Sequence, residues 1–363
     1  MQSKSGRIGI LTGGGDCAGL NAVIAAAVKH GTQLGYEFLG FEKGWEGILD
    51  PPMYRELTFD AVRGISHLGG TILHTTNKGR FGAKKGAGDK LAIPEDILLQ
   101  AKKNLAALGV EGLIVIGGDG SLSGALQLAD KGVRIIGVPK TIDNDLEATD
   151  MTFGFQTAVQ VAVDSLDRIH TTASSHDRVM FVEVMGRNAG WIALEAGLAG
   201  GADAILLPEF PFELERLVEF LNHRTQYQNA SSALVVVAEG ATVGGKHVTD
   251  AIAAGYEQHY GGISQQIMAV VESLAPSRFE MRNTVLGHMQ RGGSPNANDR
   301  NLAKAYGVGA VDAYHRGEDR VMVSFTGGRL GTVPIEKAVA RLKLVSDDSV
   351  WVKTARALGV FIN

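Results

Sequence analysis

The segment Pro139-Lys140-Thr141-Ile142-Asp143-Asn144-Asp145 sets two carboxylates two residues apart beside an ammonium, a hydroxyl and an amide. In an extended stretch alternate side chains share a side, so Asp143 and Asp145 would point the same way. One could then take a proton while the other supports a metal ion. A surface turn rich in Asp and Asn is the alternative reading, set against the apolar run Ile135 to Val138 directly before it. Two glycine-rich segments offer anion chemistry to match. Ile8 to Thr12 leads into Gly13-Gly14-Gly15-Asp16-Cys17-Ala18-Gly19, where bare N–H groups and the positive end of a helix would face a phosphate. Asp16 would repel a bare pyrophosphate resting there without a cation. The second, Ile116-Gly117-Gly118-Asp119-Gly120-Ser121, sets a carboxylate among glycines, where it can hold Mg²⁺ on a polyphosphate. Asp119 also reads as the cap of a helix over Leu122 to Ala129, and both roles can hold together.

Four arginines lie beside strand ends or glycine turns: Arg178, Arg187 in Met185-Gly186-Arg187-Asn188-Ala189-Gly190, Arg282, and Arg291 in Gly287-His288-Met289-Gln290-Arg291-Gly292-Gly293. One such arginine is ordinarily a surface ion-pair partner, but four planar forks together point to an anionic substrate. Glu239, closing the strand Ala233 to Ala238, could accept hydrogen bonds from sugar hydroxyls. His30, His170 and Trp191 read as packing or surface residues. Cys17 reads as inert, although its place at a helix start could lower its pKa.

Short β-branched runs such as Ile8 to Leu11, Tyr36 to Phe41, Leu113 to Ile116 and Val179 to Val184 must position these groups. They alternate with helical stretches such as Leu20 to Leu34, Glu95 to Leu108, Phe155 to Thr171 and Leu214 to Arg224. That alternation predicts an α/β fold with parallel-rich sheets covered by helices, in two lobes with the active site in the cleft between them. The first lobe is expected over residues 1–154 plus about 290–335, the second over 155–289 plus about 336–363. Glycine supplies 48 of 363 residues, well above the usual share, with no collagen period, so the excess belongs in turns and ligand loops. A net charge of −4 gives no reason to expect nucleic acid. One cysteine, no apolar run near membrane-span length and a polar start predict a soluble cytoplasmic protein without a signal peptide.

Taken together, the blocks Gly-Gly-Asp-Gly-Ser, Pro-x-Thr-Ile-Asp-Asn-Asp, Met-Gly-Arg and Gly-His-x-Gln-Arg-Gly-Gly resemble the 6-phosphofructokinase family, in family order from about Arg7 to Gly293. The resemblance implies transfer of the γ-phosphoryl of ATP to the C1 hydroxyl of fructose 6-phosphate with Mg²⁺, a step of glycolysis. By that likeness Gly14, Arg80, Phe81, Gly118, Asp119, Gly120, Ser121 and Lys140 meet the donor, and Asp119 with Asp145 holds the metal. Asp143 is the implied base, Thr141 lies beside the transferred phosphoryl, and Arg187 stabilises its charge. Met185, Gly186 and Glu239 contact the sugar, and His288 and Arg291 the 6-phosphate. Arg178 and Arg282 reach the substrate of a neighbouring subunit in a homo-oligomer, with a tetramer preferred.

Donor identity turns on a mixed pair. Pyrophosphate-using members usually carry Asp where this chain has Gly120, and Lys where it has Lys140; ATP-using members usually carry Gly at both. Gly120 leaves room for the α-phosphate and Lys140 does not exclude it, so ATP is favoured, with pyrophosphate as the alternative. Asn77 stands where bacterial members place a donor-contacting Arg, which Lys78 or Arg80 could replace. Ala25 replaces an effector-binding Arg, so the familiar ADP and phosphoenolpyruvate regulation is not expected. Two rival readings remain. A dinucleotide-dependent dehydrogenase would rest on Gly13-x-Gly15-x-x-Ala18 with Glu42, and a silent sugar-phosphate sensor would leave Asp119, Asp143 and Arg187 without work.

Overall fold

The computed structural model describes residues 6–76, 79–81, 84–85, 89–90, 92–211, 213–227, 232–242 and 262–362. The chain starts with β1 (Gly6–Thr12), α1 (Leu20–Gln33), β2 (Tyr36–Phe41), β3 (Tyr54–Glu56) and the short pair β4 (Lys84–Lys85) and β5 (Asp89–Lys90). It continues through α2 (Glu95–Ala107), β6 (Val110–Gly117), α3 (Asp119–Ala129), β7 (Arg134–Pro139) and α4 (Phe155–Ser175). Next come β8 (Arg178–Val184), α5 (Trp191–Ala199), β9 (Ala204–Leu206), α6 (Leu214–Tyr227), β10 (Ala233–Ala238), α7 (Ile263–Leu274) and β11 (Glu280–Val285). The last elements are α8 (Ala297–His315), β12 (Val321–Thr326), β13 (Arg329–Pro334), α9 (Ile335–Ala338), α10 (Val350–Ala357) and β14 (Phe361–Ile362). They fall into two compact units, Met1–Thr157 with Arg291–Leu342, and Ala158–Gln290 with Lys343–Asn363.

The first unit carries a seven-stranded sheet in the order β13-β12-β7-β6-β1-β2-β3. Its five inner strands are parallel and both edge strands antiparallel. Leu113 to Ile116 in β6 is wholly buried, as a continuous apolar run requires when helices cover both faces. Each such side chain contributes roughly 1.5–3 kcal/mol by leaving water. On one face Leu98, Leu105, Leu122, Leu128 and Ile335 close a core over Leu11, Val115 and Ile135. Where α8 meets α1 the approach is close, and a Cβ on Gly307 would lie 2.5 Å from the Val23 carbonyl oxygen. The start of α4 is held by buried Asp299, whose carboxylate accepts from the Thr157 N–H and hydroxyl at 2.6 Å each. Burial raises the pKa of that carboxyl.

The second unit is a five-stranded sheet, all parallel, in the order β11-β8-β10-β9-β14. Phe181, Val235 and Val237 pack there under Leu217 and Leu221 of α6 and Ile267 and Val271 of α7. Glu183, buried in β8, accepts from the Gly262 and Ser264 amides and the Ser264 hydroxyl at 2.8–3.0 Å, fixing the start of α7. Among the described residues no helix is long and apolar enough to cross a membrane.

The α/β class and its parallel sheets are as the alternation predicts. Local bounds differ: α3 starts at Asp119 rather than Leu122, and α4 and α6 run on to Ser175 and Tyr227. The antiparallel edges β3 and β13 are additions to the parallel pattern.

Candidate functional site

In the first sheet β1 and β6 are neighbours whose connections leave in opposite directions, toward β2 and toward β7. Such a switch point opens a crevice at the carboxyl ends of the strands, and both glycine loops lie there. They touch: a Cβ on Gly13 would stand 2.4 Å from Ser121 Oγ. Gly14 (φ 77°) and Gly19 (φ 109°) take left-handed backbone that a side chain would strain. Three donors reach the carbonyls of the first loop from separate segments. Thr75 Oγ1 donates to Gly14 O at 2.6 Å, Lys140 Nζ to Gly15 O, and Arg291 Nη1 to Asp16 O at 3.2 Å. The Gly13 amide donates to Ile116 O at 2.9 Å. Among the described residues none accepts from the amides of Gly14, Gly15 or Asp16. Lys140 is buried, and burial lowers its pKa.

Asp119 lies in the first turn of α3, behind Gly118, and accepts from the Gly120 amide at 2.6 Å. It is therefore not the residue that caps the helix. Ser121 is buried beneath it. A Cβ on Gly120 would meet nothing within 4 Å, so the fold does not itself demand glycine there. Arg80 is paired with Glu46 at 3.0 Å. The Phe81 ring is stacked on Trp45 with centroids 4.3 Å apart, which makes it part of the core. Asn77 and Lys78 lie outside the described residues.

The segment after β7 is a turn rather than the extended stretch expected, since Asn144 adopts φ 50°. Asn tolerates that backbone, and the buried Asn144 Oδ1 accepts from the Thr152 amide at 3.0 Å. Thr152 Oγ1 donates to Thr141 O at 2.7 Å, and the Asp143 amide to Thr141 Oγ1 at 3.1 Å. Asp145 is brought near both other carboxylates by the turn. Burial, then the charges of Asp143 and Asp119, push its pKa up to about 7. Among the described residues no three His, Cys, Asp or Glu side chains form a ready-made metal cage. Mg²⁺ does not need one: it takes one or two carboxylates and completes its shell with water and phosphate oxygens. A carboxylate pair short of positive charge fits that ion.

In the second unit β11, β8 and β10 stand side by side and parallel, so their carboxyl ends share one edge. From these ends come His288, Met185-Gly186-Arg187 and Glu239 respectively. Gly186 (φ 136°) makes the turn. A Cβ on Gly240 would fall 1.9 Å from Arg187 O, so only glycine leaves the arginine loop its place. The Met185 amide donates to Gln290 Oε1 at 2.7 Å. Glu209 Oε1 accepts from the Gly190 and Val345 amides at 2.9 Å each, behind the same loop. Arg178 and Arg282 meet at the Glu280 carboxylate, at 2.8 and 3.0 Å, on the edge strand β11.

Other expectations have plain outcomes. Cys17 is fully buried, and burial pushes its thiol up to about 12, so no helix end activates it. His30 pairs with Asp312 at 2.6 Å, and Trp191 Nε1 donates to Lys343 O at 2.8 Å. Glu42, which a dinucleotide site would need for a ribose, is paired with Arg55 at 2.7 Å. Thr75, Thr152 and Gly240 carry no sequence signal of their own. Gln290 lies within the segment Gly287-His288-Met289-Gln290-Arg291, and nothing in that segment marks it as buried.

Comparison with known proteins agrees with this geometry. The phosphofructokinase family profile matches residues 7–314. An ATP-dependent 6-phosphofructokinase of Chloroflexus aurantiacus is 50% identical over 361 residues, covering 99% of this chain and 98% of that one. A pyrophosphate–fructose 6-phosphate 1-phosphotransferase of Streptomyces coelicolor is 47% identical over 344 residues, covering 93% and 96%. Among solved structures, a Pichia pastoris phosphofructokinase in the T-state superposes with a TM-score of 0.79 at 31% identity. That match covers 92% of this chain and 35% of the Pichia chain, of which this one spans about a third. With paired glycine loops at a switch point, a carboxylate turn beside them and relatives matched over almost their whole length, the chain belongs to the phosphofructokinase family.

Proposed function

We propose that this chain is an ATP-dependent 6-phosphofructokinase, passing the γ-phosphoryl of ATP to the C1 oxygen of fructose 6-phosphate and releasing ADP and a proton. The observation that carries the reading is the placement of both glycine loops and the Asp143 turn on the carboxyl ends of three neighbouring parallel strands, β1, β6 and β7. Phosphoryl transfer needs positioned charge and a base more than covalent chemistry, and these loops supply both.

In this reading the first unit takes the donor. Amides of the 14–16 loop meet its phosphates, with Gly118, Gly120, Ser121 and Arg80 alongside. Asp119 and Asp145 would hold Mg²⁺, which when bound neutralises charge on the phosphates. Asp143 takes the proton of the C1 hydroxyl, and Thr141, fixed by Thr152, lines the transfer path. For the sugar, Met185, Gly186 and Glu239 would contact the ring, His288 and Arg291 the 6-phosphate, and Arg187 would offset charge on the group in flight. Phe81, stacked on Trp45, supports the donor loops from the core. Arg178 and Arg282, side by side at the edge strand β11, would serve the neighbouring subunit of a tetramer in the cytoplasm.

ATP is favoured over pyrophosphate because the space before Gly120 is open, leaving room for an α-phosphate. Lys140 and the Streptomyces relative support pyrophosphate as the second reading. Initial rates of fructose 1,6-bisphosphate formation with Mg²⁺ and either donor decide between them. Turnover with ATP alone is the expected result; turnover with pyrophosphate alone selects the second reading, and turnover with neither overturns both. Light scattering checks the oligomer, with a mass near four chains expected.

A further inference from the structure

The first glycine loop is held from behind by three side chains that the sequence scatters widely. Thr75 is 61 residues from Gly14, Lys140 is 125 from Gly15, and Arg291 is 275 from Asp16. Each donates to one of three successive carbonyls. A peptide group is planar, with its N–H opposite its C=O. Pinning the Gly14 and Gly15 carbonyls therefore fixes the direction of the Gly15 and Asp16 amides that share their peptide groups, and none of the described residues accepts from either amide. Two of the three donors carry charge, which makes their hydrogen bonds the stronger kind.

We propose that Thr75, Lys140 and Arg291 form a brace that preorganises the 14–16 loop for the donor's phosphates, and that Lys140 acts through this loop instead of touching the transferred phosphoryl. The idea rests on the donor site assigned above. It gives Lys140 a task independent of donor identity: its ammonium donates to Gly15 O inside the protein, and the residue is 5% exposed. A Cβ placed on Gly14 would already stand 3.6 Å from Lys140 Nζ, so the ammonium lies against the loop. Preorganisation of this kind sets affinity for phosphates and leaves the base, Asp143, in place.

The test compares Lys140→Met, Thr75→Val, Thr75→Ser and the Lys140→Met/Thr75→Val double variant. Calorimetry with a non-hydrolysable ATP analogue and Mg²⁺ gives the affinity; steady-state rates give kcat and both KM values. Loss of a charged donor is expected to weaken the analogue by about tenfold to a hundredfold in Lys140→Met, and loss of a neutral one by about fivefold in Thr75→Val. Thr75→Ser, which keeps the hydroxyl, restores wild-type affinity. The double variant loses less than the product of the single effects, because one loosened loop cannot be loosened twice. KM for fructose 6-phosphate stays within twofold throughout. A Lys140→Met protein that binds the analogue normally but turns over slowly would put Nζ on the phosphoryl and overturn the brace. So would unchanged affinity in both single variants, or effects that multiply. Should Lys140→Met fail to fold, the Thr75 pair still decides, since a Thr75→Val variant of normal affinity refutes the brace. Wild-type protein that does not bind the analogue would instead reject the donor site on which the idea stands.

Discussion

Gly240→Ala is the smallest change that reaches Arg187 without altering any group proposed to touch substrate. The added methyl would lie 1.9 Å from Arg187 O, 2.7 Å from Arg187 C and 3.0 Å from Gly186 O. Ordinary contact begins at 3.4 Å, so 3.4 less 1.9 leaves about 1.5 Å to be made up. Gly240 follows β10, which is buried and paired on both sides, whereas the loop 186–190 leaves the sheet; the loop is the part that yields. Misplacing a charge-stabilising group by about 1 Å costs on the order of a hundredfold in rate. We therefore expect kcat to fall about a hundredfold with KM for ATP unchanged, and overpacking to cost about 1–3 kcal/mol in urea unfolding. Gly120→Ala is the control for overpacking alone, because its methyl meets nothing and, in the first turn of α3, should leave stability equal to the parent or raise it by up to about 1 kcal/mol. A coupled assay of fructose 1,6-bisphosphate formation reads both variants. If Gly240→Ala keeps kcat within threefold, Arg187 is not placed by this contact and the reasoning fails.

Asp143→Asn should bind both substrates normally and lose about 10²- to 10⁴-fold in kcat, the ordinary worth of a positioned base; near-normal turnover removes Asp143 from that role. Asp145, pushed up to about 7 by burial and its carboxylate neighbours, must be ionised to hold a cation. The Mg²⁺ concentration for half-maximal rate should therefore rise as pH falls below about 7, and Asp145→Asn should flatten that dependence, as metal titrations at several pH values would reveal. Glu209 has its pKa raised by burial, while its buried Oε2 has no hydrogen-bond partner among the described residues. The folded state thus holds the proton more tightly than the unfolded chain. Stability from this group is present below its unfolded value, about 4.3, and lost as pH rises through the folded value. Glu209→Gln should be more stable than the parent at alkaline pH and similar in acid; chemical unfolding at several pH values that shows equal slopes would refute this.

The parts of this molecule written in the sequence are those where chemistry and backbone agree locally. Leu113 to Ile116 followed by Gly117-Gly118-Asp119 announces a buried strand, a turn and a helix start within ten residues, and the structure builds each of them. Asn144 could be foreseen as a turn-former, yet the alternation argument for Asp143 and Asp145 assumed an extended chain and missed the left-handed residue between them. Partners far apart in sequence were out of reach. Nothing near Phe81 reveals that Trp45 will stack on it, and nothing near Thr152 reveals that its hydroxyl will hold Thr141. Gly240 looks like an ordinary loop glycine until the Arg187 carbonyl is found where its side chain would go. Long-range packing decides such positions, and a single sequence records its outcome without its cause.

The lone thiol of Cys17 has a use beyond its place in the core. It is fully buried beside Phe153 and Gly154, and the chain contains no second cysteine. A thiol reagent can then react only when the first unit opens, so the labelling rate reports the free energy of that opening at one defined point. Nucleotide bound to the native loop should slow the reaction by the linkage factor one plus ligand concentration over Kd. The molecule thus carries a built-in probe of its own breathing, with no engineered residue needed to read it.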